Sequence, residues 1–512
     1  MPKRLRSGFV AFVCSLAIAA ALYGCGSGSA APPNPVLPTT SAEAMTIADV
    51  QSIVTAAAAS VDAPLAIAVT DRRGDILAVY SKPGAPAMSI GNFSQSIQTP
   101  ELAVGLARTA AFFSNDQAPL SSRTVRYISG AHFPPGIAFT PNAALYGIEN
   151  TNRGCSLNAP FLPGQQLNPA RSIDGMAIGT GVVTGKKDVY DSDPNAVLPG
   201  GVPIFKNGHL VGGIGVAGAS AEVTEFAAVA GTIANGFAPQ VAAPGVVVID
   251  GVALPFVNQM TRPAGANAGI ANGSYSVGPK ASIGPPPEGD LMARRAGPLG
   301  GLSLADVGQI VDSAVANANQ TRAVIRLPLE SRARFAIAVA DLDGSLLALY
   351  RMPDSTVFSV DVAVAKARNL VYFSSANVPA SELAGVPPGT AVTNRTISFG
   401  AQPFFPPGID GSAPGPFFGL YQYDVANPCT NGHQAANGNQ NGIVFFPGSV
   451  PLYRNGVLIG ALGVSGDGVE QDDYVSAQAS AGFEAPTDKR ADQIEINGVR
   501  LPYLKFPRNP TL

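Results

Sequence analysis

The sequence predicts an α+β fold used twice: two tandem domains, each an antiparallel β-sheet flanked by helices. Three observations lead there. Gly200–Gly218 reads GGVPIFKNGHLVGGIGVAG, and Gly448–Gly466 restates it as GSVPLYRNGVLIGALGVSG. Each copy is a proline-led apolar strand, an Asn-Gly turn (Asn207-Gly208, Asn455-Gly456) and a second strand. Both turn positions of Asn-Gly accept positive φ, which makes it a strong hairpin signal. Secondly, the segments around each hairpin recur in the same order, so the fold is duplicated. Thirdly, only 13% of residues are charged while Gly (57) and Pro (45) are abundant, which favours hairpins and turns over long charged helices.

In chain order, TIADVQSIVTAAAAS opens the first copy. Thr46 with Asp49 three residues on resembles a capping box, and Ile47, Val50, Ile53, Val54 and Ala57 share one helical face. APLAIAVTDRRGDILAVYSK reads as a hairpin turning at Asp71 to Asp75, and Glu101 to Phe113 as a second helix. SSRTVRYIS, the turn FPPGI (Phe133 to Ile137) and a long polar loop containing Cys155 lead to the central hairpin. A helix from about Ala221 to Asn235 and a closing strand, IDGVALPFV, complete the unit.

The second copy follows: SLADVGQIVDSAV with Ser303 and Asp306 at the cap, FAIAVADLDGSLLALYRM, DVAVAKARNLVYF, TNRTISFG, FPPGI at Phe405 to Ile409, and INGVRLPYL. Arg368 falls on Arg108, Arg395 on Arg123 and Thr396 on Thr124. Residues 264–300 have no sustained period and many turn formers, so they read as a linker between domains at 45–263 and 301–508, each expected to hold its own core.

The N-terminus reads as a targeting segment. Lys3, Arg4 and Arg6 precede an apolar run, Gly8 to Ala21, too short to span a bilayer comfortably. It ends in Leu22-Tyr23-Gly24-Cys25, which resembles a bacterial lipobox with Cys25 as the lipidated residue; the alternative is a plain signal peptide. Residues 1–25 are then a signal and 26–44 a flexible tether, placing the protein in the cell envelope on the periplasmic or exterior side. Of the four cysteines, Cys155 and Cys429 remain, in corresponding loops. An exported chain and equivalent positions about a pseudo-two-fold axis suggest that they form one disulfide stapling the domains; two free thiols are the alternative.

The first hairpin (AIAVxDxxGxLLAxxR), the helix with K-A-R-T-A character and GGVPIxxxGxxxGAIGVSG together resemble the GlcG/HbpS-like heme-binding family, across both copies. The resemblance implies a small α+β domain, often oligomeric, with heme or a related tetrapyrrole as ligand. The family's Lys-Ala-x-Thr-Ala motif is split: Leu106-Ala107-Arg108-Thr109-Ala110 keeps the threonine, and Lys366-Ala367-Arg368-Asn369-Leu370 keeps the lysine. Long insertions in the Cys loops depart from a minimal family domain.

Heme iron takes His, Met, Cys or Tyr. Of His132, His209 and His433, none has a histidine partner in the other copy, and His132 ranks first because it adjoins the Phe-Pro turn. Tyr127 is an alternative ligand or stacking partner. Arg108, Arg123, Arg368 and Arg395 recur and suit carboxylates, although the same side chains could pin loops or pair with acids. The acidic sets Asp341/Asp343 and Asp467/Glu470/Asp472/Asp473 read as solvated turns, and GGIGVAG as close backbone packing.

A net charge of −3 offers no basic field for nucleic acid. No nucleophile elbow, phosphate loop or zinc helix is present. The expectation is therefore a membrane-anchored extracytoplasmic binder of heme or a similar small molecule, rather than an enzyme, with no resident metal site and a homo-oligomer in view. The alternatives are an enzyme acting on heme or a small oxidised metabolite, and a structural module whose site has decayed.

Overall fold

The computed structural model describes residues 44–167, 171–175, 181–239 and 246–511. The proposed signal, tether and Cys25 lie outside the described residues, except for Ala44. The first copy runs α1 (Ile47–Ser60), β1 (Ala66–Asp71), β2 (Ile76–Ser81), a small hairpin β3 (Met88–Ile90) and β4 (Ser96–Gln98), then α2 (Thr99–Phe113) and α3 (Ser122–Tyr127). It continues through β5 (Gly201–Lys206), β6 (His209–Ala217), α4 (Ala221–Ile233), β7 (Val248–Ile249) and β8 (Val252–Ala253). After β9 (Ser274–Val277) and β10 (Gly289–Asp290), the second copy runs α5 (Leu304–Ala318), β11 (Phe335–Ala340), β12 (Leu346–Arg351), α6 (Phe358–Phe373) and α7 (Asn394–Gly400). It ends with α8 (Phe418–Ala426), β13 (Ser449–Arg454), β14 (Val457–Gly466), α9 (Val469–Ala479), β15 (Glu495–Ile496) and β16 (Val499–Arg500).

The capping boxes form as expected: Thr46 Oγ1 accepts from Asp49 N (3.2 Å) and Asp49 Oδ2 from Thr46 N (2.8 Å), and Ser303 with Asp306 repeats the arrangement. Both Asn-Gly turns hold positive φ, 53° and 83° at Asn207-Gly208 and 51° and 76° at Asn455-Gly456. The closing segments are not sheet strands. Asp250-Gly251 and Asn497-Gly498 also take positive φ, so each segment folds back into the miniature hairpins β7–β8 and β15–β16. A second Asx-Gly turn overrides the apolar run around it.

Each copy carries one antiparallel five-stranded sheet of matching order, β5-β6-β1-β2-β9 and β13-β14-β11-β12-β10. The outermost strand of each comes from the segment read as a linker: Tyr275 pairs with Tyr80, and Gly289 with Arg351. That segment covers the β2 and β12 edges, which would otherwise expose unpaired backbone groups. The central glycines serve close packing. A Cβ on Gly213 would run into the carbonyl oxygen of Ala107 on α2, and one on Gly463 into that of Ala363 on α6.

Each copy has a core of its own between the sheet and the α1/α4 or α5/α9 pair. On the opposite face the two copies share a third core. There Phe113 stacks on Phe358 with centroids 4.1 Å apart, Tyr146 stacks on Tyr421 at 5.1 Å, and Val357 N donates to Phe112 O (3.1 Å). The expectation of a private core per domain is thus half met. Cys155 and Cys429 are disulfide-bonded, with Cα atoms 5.5 Å apart, inside the distance a bridge spans.

Candidate ligand-binding site

The four recurring arginines fall into two structural pairs. Arg123 Nε meets Glu225 Oε1 at 2.7 Å, and Arg395 Nε meets Asp473 Oδ2 at 2.5 Å, each fixing α3 or α7 to α4 or α9. Both are ion pairs between copy-equivalent elements. Arg108 and Arg368 brace the first hairpin of their copy, donating from Nε to Gly74 O (2.9 Å) and Gly344 O (3.0 Å). Burial lowers both guanidinium pKa values to about 10.

The second pair is not symmetric in its surroundings. Arg368 is filled: Nη1 donates to Asn441 Oδ1 (3.0 Å) and Nη2 to Leu157 O (2.6 Å), both from the Cys-loop insertions. Arg108 gives Nη1 to Arg171 O, and its Nη2 makes no hydrogen bond among the described residues. It lines a cavity of about 310 Å³ whose other walls include Arg73, Lys280, Asp71 and Phe112. Burial, then the neighbouring charge of Asp75, raises the Asp71 carboxyl to about 7.

A second cavity, about 560 Å³, lies along the start of α2. Phe93, Ile97, Leu102 and Val183 give it apolar walls, Arg153 and Glu101 polar ones, and Pro428, next to the disulfide, reaches in from the second copy. Ser172 lines both cavities. The family-motif threonine is not exposed to either: Thr109 Oγ1 accepts from Val183 N (2.9 Å), and its counterpart Asn369 Oδ1 accepts from Val444 N (3.0 Å). The insertions therefore lie on the motif helix in both copies.

The histidines and Tyr127 lie elsewhere. His132 is buried, with Nδ1 2.7 Å from Ser192 Oγ and Nε2 2.8 Å from Asp410 Oδ1, so ligation of a metal would break one of these bonds. His209 pairs with Asp116 (2.7 Å), and His433 lies over the Tyr423 ring at 3.9 Å. Tyr127 packs edge-on to Phe133 at 6.1 Å. No His, Met, Cys or Tyr is among the described residues lining either cavity. Among the described residues no group of three His, Cys, Asp or Glu could hold a metal, and no helix is long and apolar enough to cross a membrane.

The second acidic set is a correction to the sequence reading. Asp467, Asp472 and Asp473 are buried ion-pair partners of Arg326, Lys366 and Arg395, not solvated turn residues. Their cations come from distant segments, which local spacing does not reveal. Sequence reasoning also passed over Arg73, Arg153 and Lys280. The doubled arginine of the Asp71–Asp75 turn and the Arg153 two residues before Cys155 were the available signals.

A model of the haem degrading protein HbpS-like family matches residues 42–232 and 302–481. The corrinoid adenosyltransferase PduO of Salmonella typhimurium (strain LT2) is 26% identical over 36% of this chain and 40% of its own length. PduO of Citrobacter freundii is 26% identical over 33% and 37%. The chain thus spans less than half the length of these curated relatives. Among solved structures, a PduOC:heme complex is 26% identical, covering 36% of this chain and 97% of that one, with a TM-score of 0.24. A double mutant of Streptomyces reticuli HbpS is 18% identical, covering 35% and 86%, with a TM-score of 0.21. With its model matched twice in tandem over well more than half of the sequence, the chain belongs to the HbpS-like family.

Proposed function

We propose that the first copy binds heme or a related carboxylate-bearing tetrapyrrole and that the protein is a binder rather than an enzyme toward it. Family membership carries the choice of ligand, and the two cavities on α2 support its place. The apolar walls at Phe93, Ile97 and Leu102 suit the face of a flat ligand, while Arg153, Arg73 and the spare nitrogen of Arg108 suit carboxylates. Among the described residues the lining offers an iron no side-chain ligand of the usual kinds, and the groups it does offer suit the macrocycle and its carboxylates. In the second copy the matching arginine is filled by Asn441 and Leu157, which supports one ligand per chain.

The test is an absorbance titration of the chain from residue 26 with heme. The expected result is saturation at one equivalent, weakened at least about tenfold by Arg153→Glu and unchanged by His132→Ala. A Soret change that never saturates overturns the reading.

The same proposal includes a lipid anchor on Cys25 and an extracytoplasmic location, supported by Lys3, Arg4, Arg6 and the Leu22–Cys25 lipobox. Mass spectrometry of the mature N-terminus should find a diacylated Cys25; an unmodified N-terminus beyond residue 25 would refute the anchor.

A further inference from the structure

Where the two Phe-Pro-Pro-Gly-Ile turns meet, one histidine holds a hydroxyl and a carboxylate at once. His132 Nδ1 lies 2.7 Å from Ser192 Oγ, and Nε2 lies 2.8 Å from Asp410 Oδ1. We propose that Ser192, His132 and Asp410 form a nucleophilic triad that hydrolyses esters of apolar acyl groups.

The order serine, imidazole, carboxylate is the hydrogen-bonded chain that activates a weak hydroxyl nucleophile, recognised by geometry and not by sequence position. Asp410 fixes the tautomer. Its Oδ2 accepts from Phe139 N (3.0 Å), and despite partial desolvation the bonds from His132 and Phe139 hold its pKa below the usual range. A charged Asp410 places the ring proton on Nε2 and leaves Nδ1 as the base facing Ser192. The two nitrogens thereby exchange the roles they have in the familiar triad, and either nitrogen serves as a base once the other carries the proton.

The loop bearing the serine is held firmly. Buried Arg126 donates from Nε to Ala196 O (2.8 Å) and from Nη2 to Asp191 O (3.2 Å) and Asp193 O (3.3 Å), bracketing Ser192. Nη2 also pairs with the buried Asp191 carboxylate (3.2 Å), while Nη1 is buried without a hydrogen-bond partner next to Gly130, two residues before His132. Around the cluster, Phe139 (67% exposed), Ile137 (54%) and Ile409 (52%) present apolar surface suited to an acyl chain.

Duplication explains how the site arose. Next to the shared turn, His132 stands where the second copy has Phe404, and Asp410 where the first has Ala138. The two odd residues meet between the copies, so neither copy alone contains the triad.

In the proposed step, Ser192 Oγ bonds to the ester carbonyl carbon while its proton passes to Nδ1. The carbon–oxygen bond to the alcohol then breaks, and the alcohol leaves with that proton. Water attacks the acyl-serine by the same route, giving the acid and free Ser192.

The test uses the chain from residue 26 with p-nitrophenyl butyrate and a fluorophosphonate. The expected results are turnover lost on the order of 10³-fold in Ser192→Ala and phosphonylation of the Ser192 peptide, suppressed in His132→Gln. Ser192→Ala removes one half-buried hydroxyl and should fold, so the result stands even if the histidine variant does not. A Ser192→Ala variant as active as the parent, or a phosphonate that leaves Ser192 unlabelled, overturns the proposal.

Discussion

Arg72 of the first copy and Asp354 of the second meet at 2.6 Å, and through that pair the two copies share one ionic network. Asp354 also binds Arg326 (2.6 Å), which in turn reaches buried Asp467. Burial alone would raise the Asp354 carboxyl, but Arg72 and Arg326 hold it down to about 2. Asp354→Asn keeps a residue that tolerates φ 56° while removing the charge. It should cost about 2–3 kcal/mol, below the full value for a buried pair because the Asp354 side chain is 23% exposed. Urea unfolding would measure it. A depressed pKa gives stability that is present above about pH 4 and lost as pH falls through 2, and the variant should lose that acid dependence.

Asp71 should show the opposite sign. Its pKa is raised to about 7, so its contribution is present below the ordinary carboxylate range and lost as pH rises through 7. Stability should fall between pH 4 and 8 by on the order of 4 kcal/mol from this residue. Asp71→Asn should flatten that limb in a series of thermal melts.

Reducing the Cys155–Cys429 bridge releases a constraint across 274 residues. Cys429→Ser should destabilise the chain by about 2–5 kcal/mol. Thermal melts of the parent with and without a thiol reductant should differ by the same amount, while the variant should not respond.

Gly213→Ala and Gly463→Ala each add one methyl group where a helix carbonyl already sits. Each should cost about 1–3 kcal/mol or more, whereas Gly208→Ala, whose Cβ meets nothing within 4 Å, should cost only the strain of φ 83°. Chemical denaturation of the three variants separates packing from backbone strain.

Much of the fold was legible because it is encoded locally. Thr46 with Asp49, Asn207-Gly208 and the restated hairpin each need only a few neighbours to dictate their conformation. The linker strands were not legible: β9 and β10 are four and two residues long, too short to show a period, and they pair only because β2 and β12 offer free edges. The site was read less well. Arg108, Arg123, Arg368 and Arg395 were visible as recurring cations, but whether an arginine meets a ligand, a carbonyl or an acid depends on residues up to 211 positions away, as with Arg368 and Leu157.

By itself the sequence determined the duplication, the α+β class, the turns and the capping of α1 and α5, since these follow from backbone preferences and apolar periodicity. The pairing of Cys155 with Cys429 was inferred from copy equivalence, and their 5.5 Å Cα separation is a tertiary fact. Only the tertiary structure decided that the copies share a core and that Asp467, Asp472 and Asp473 are buried partners. It alone left Arg108 beside a cavity while Arg368 was filled, and joined His132 to Asp410. Equivalent positions start with equivalent local chemistry; what separates their fates is the long-range packing of the two insertions against two copies that have diverged.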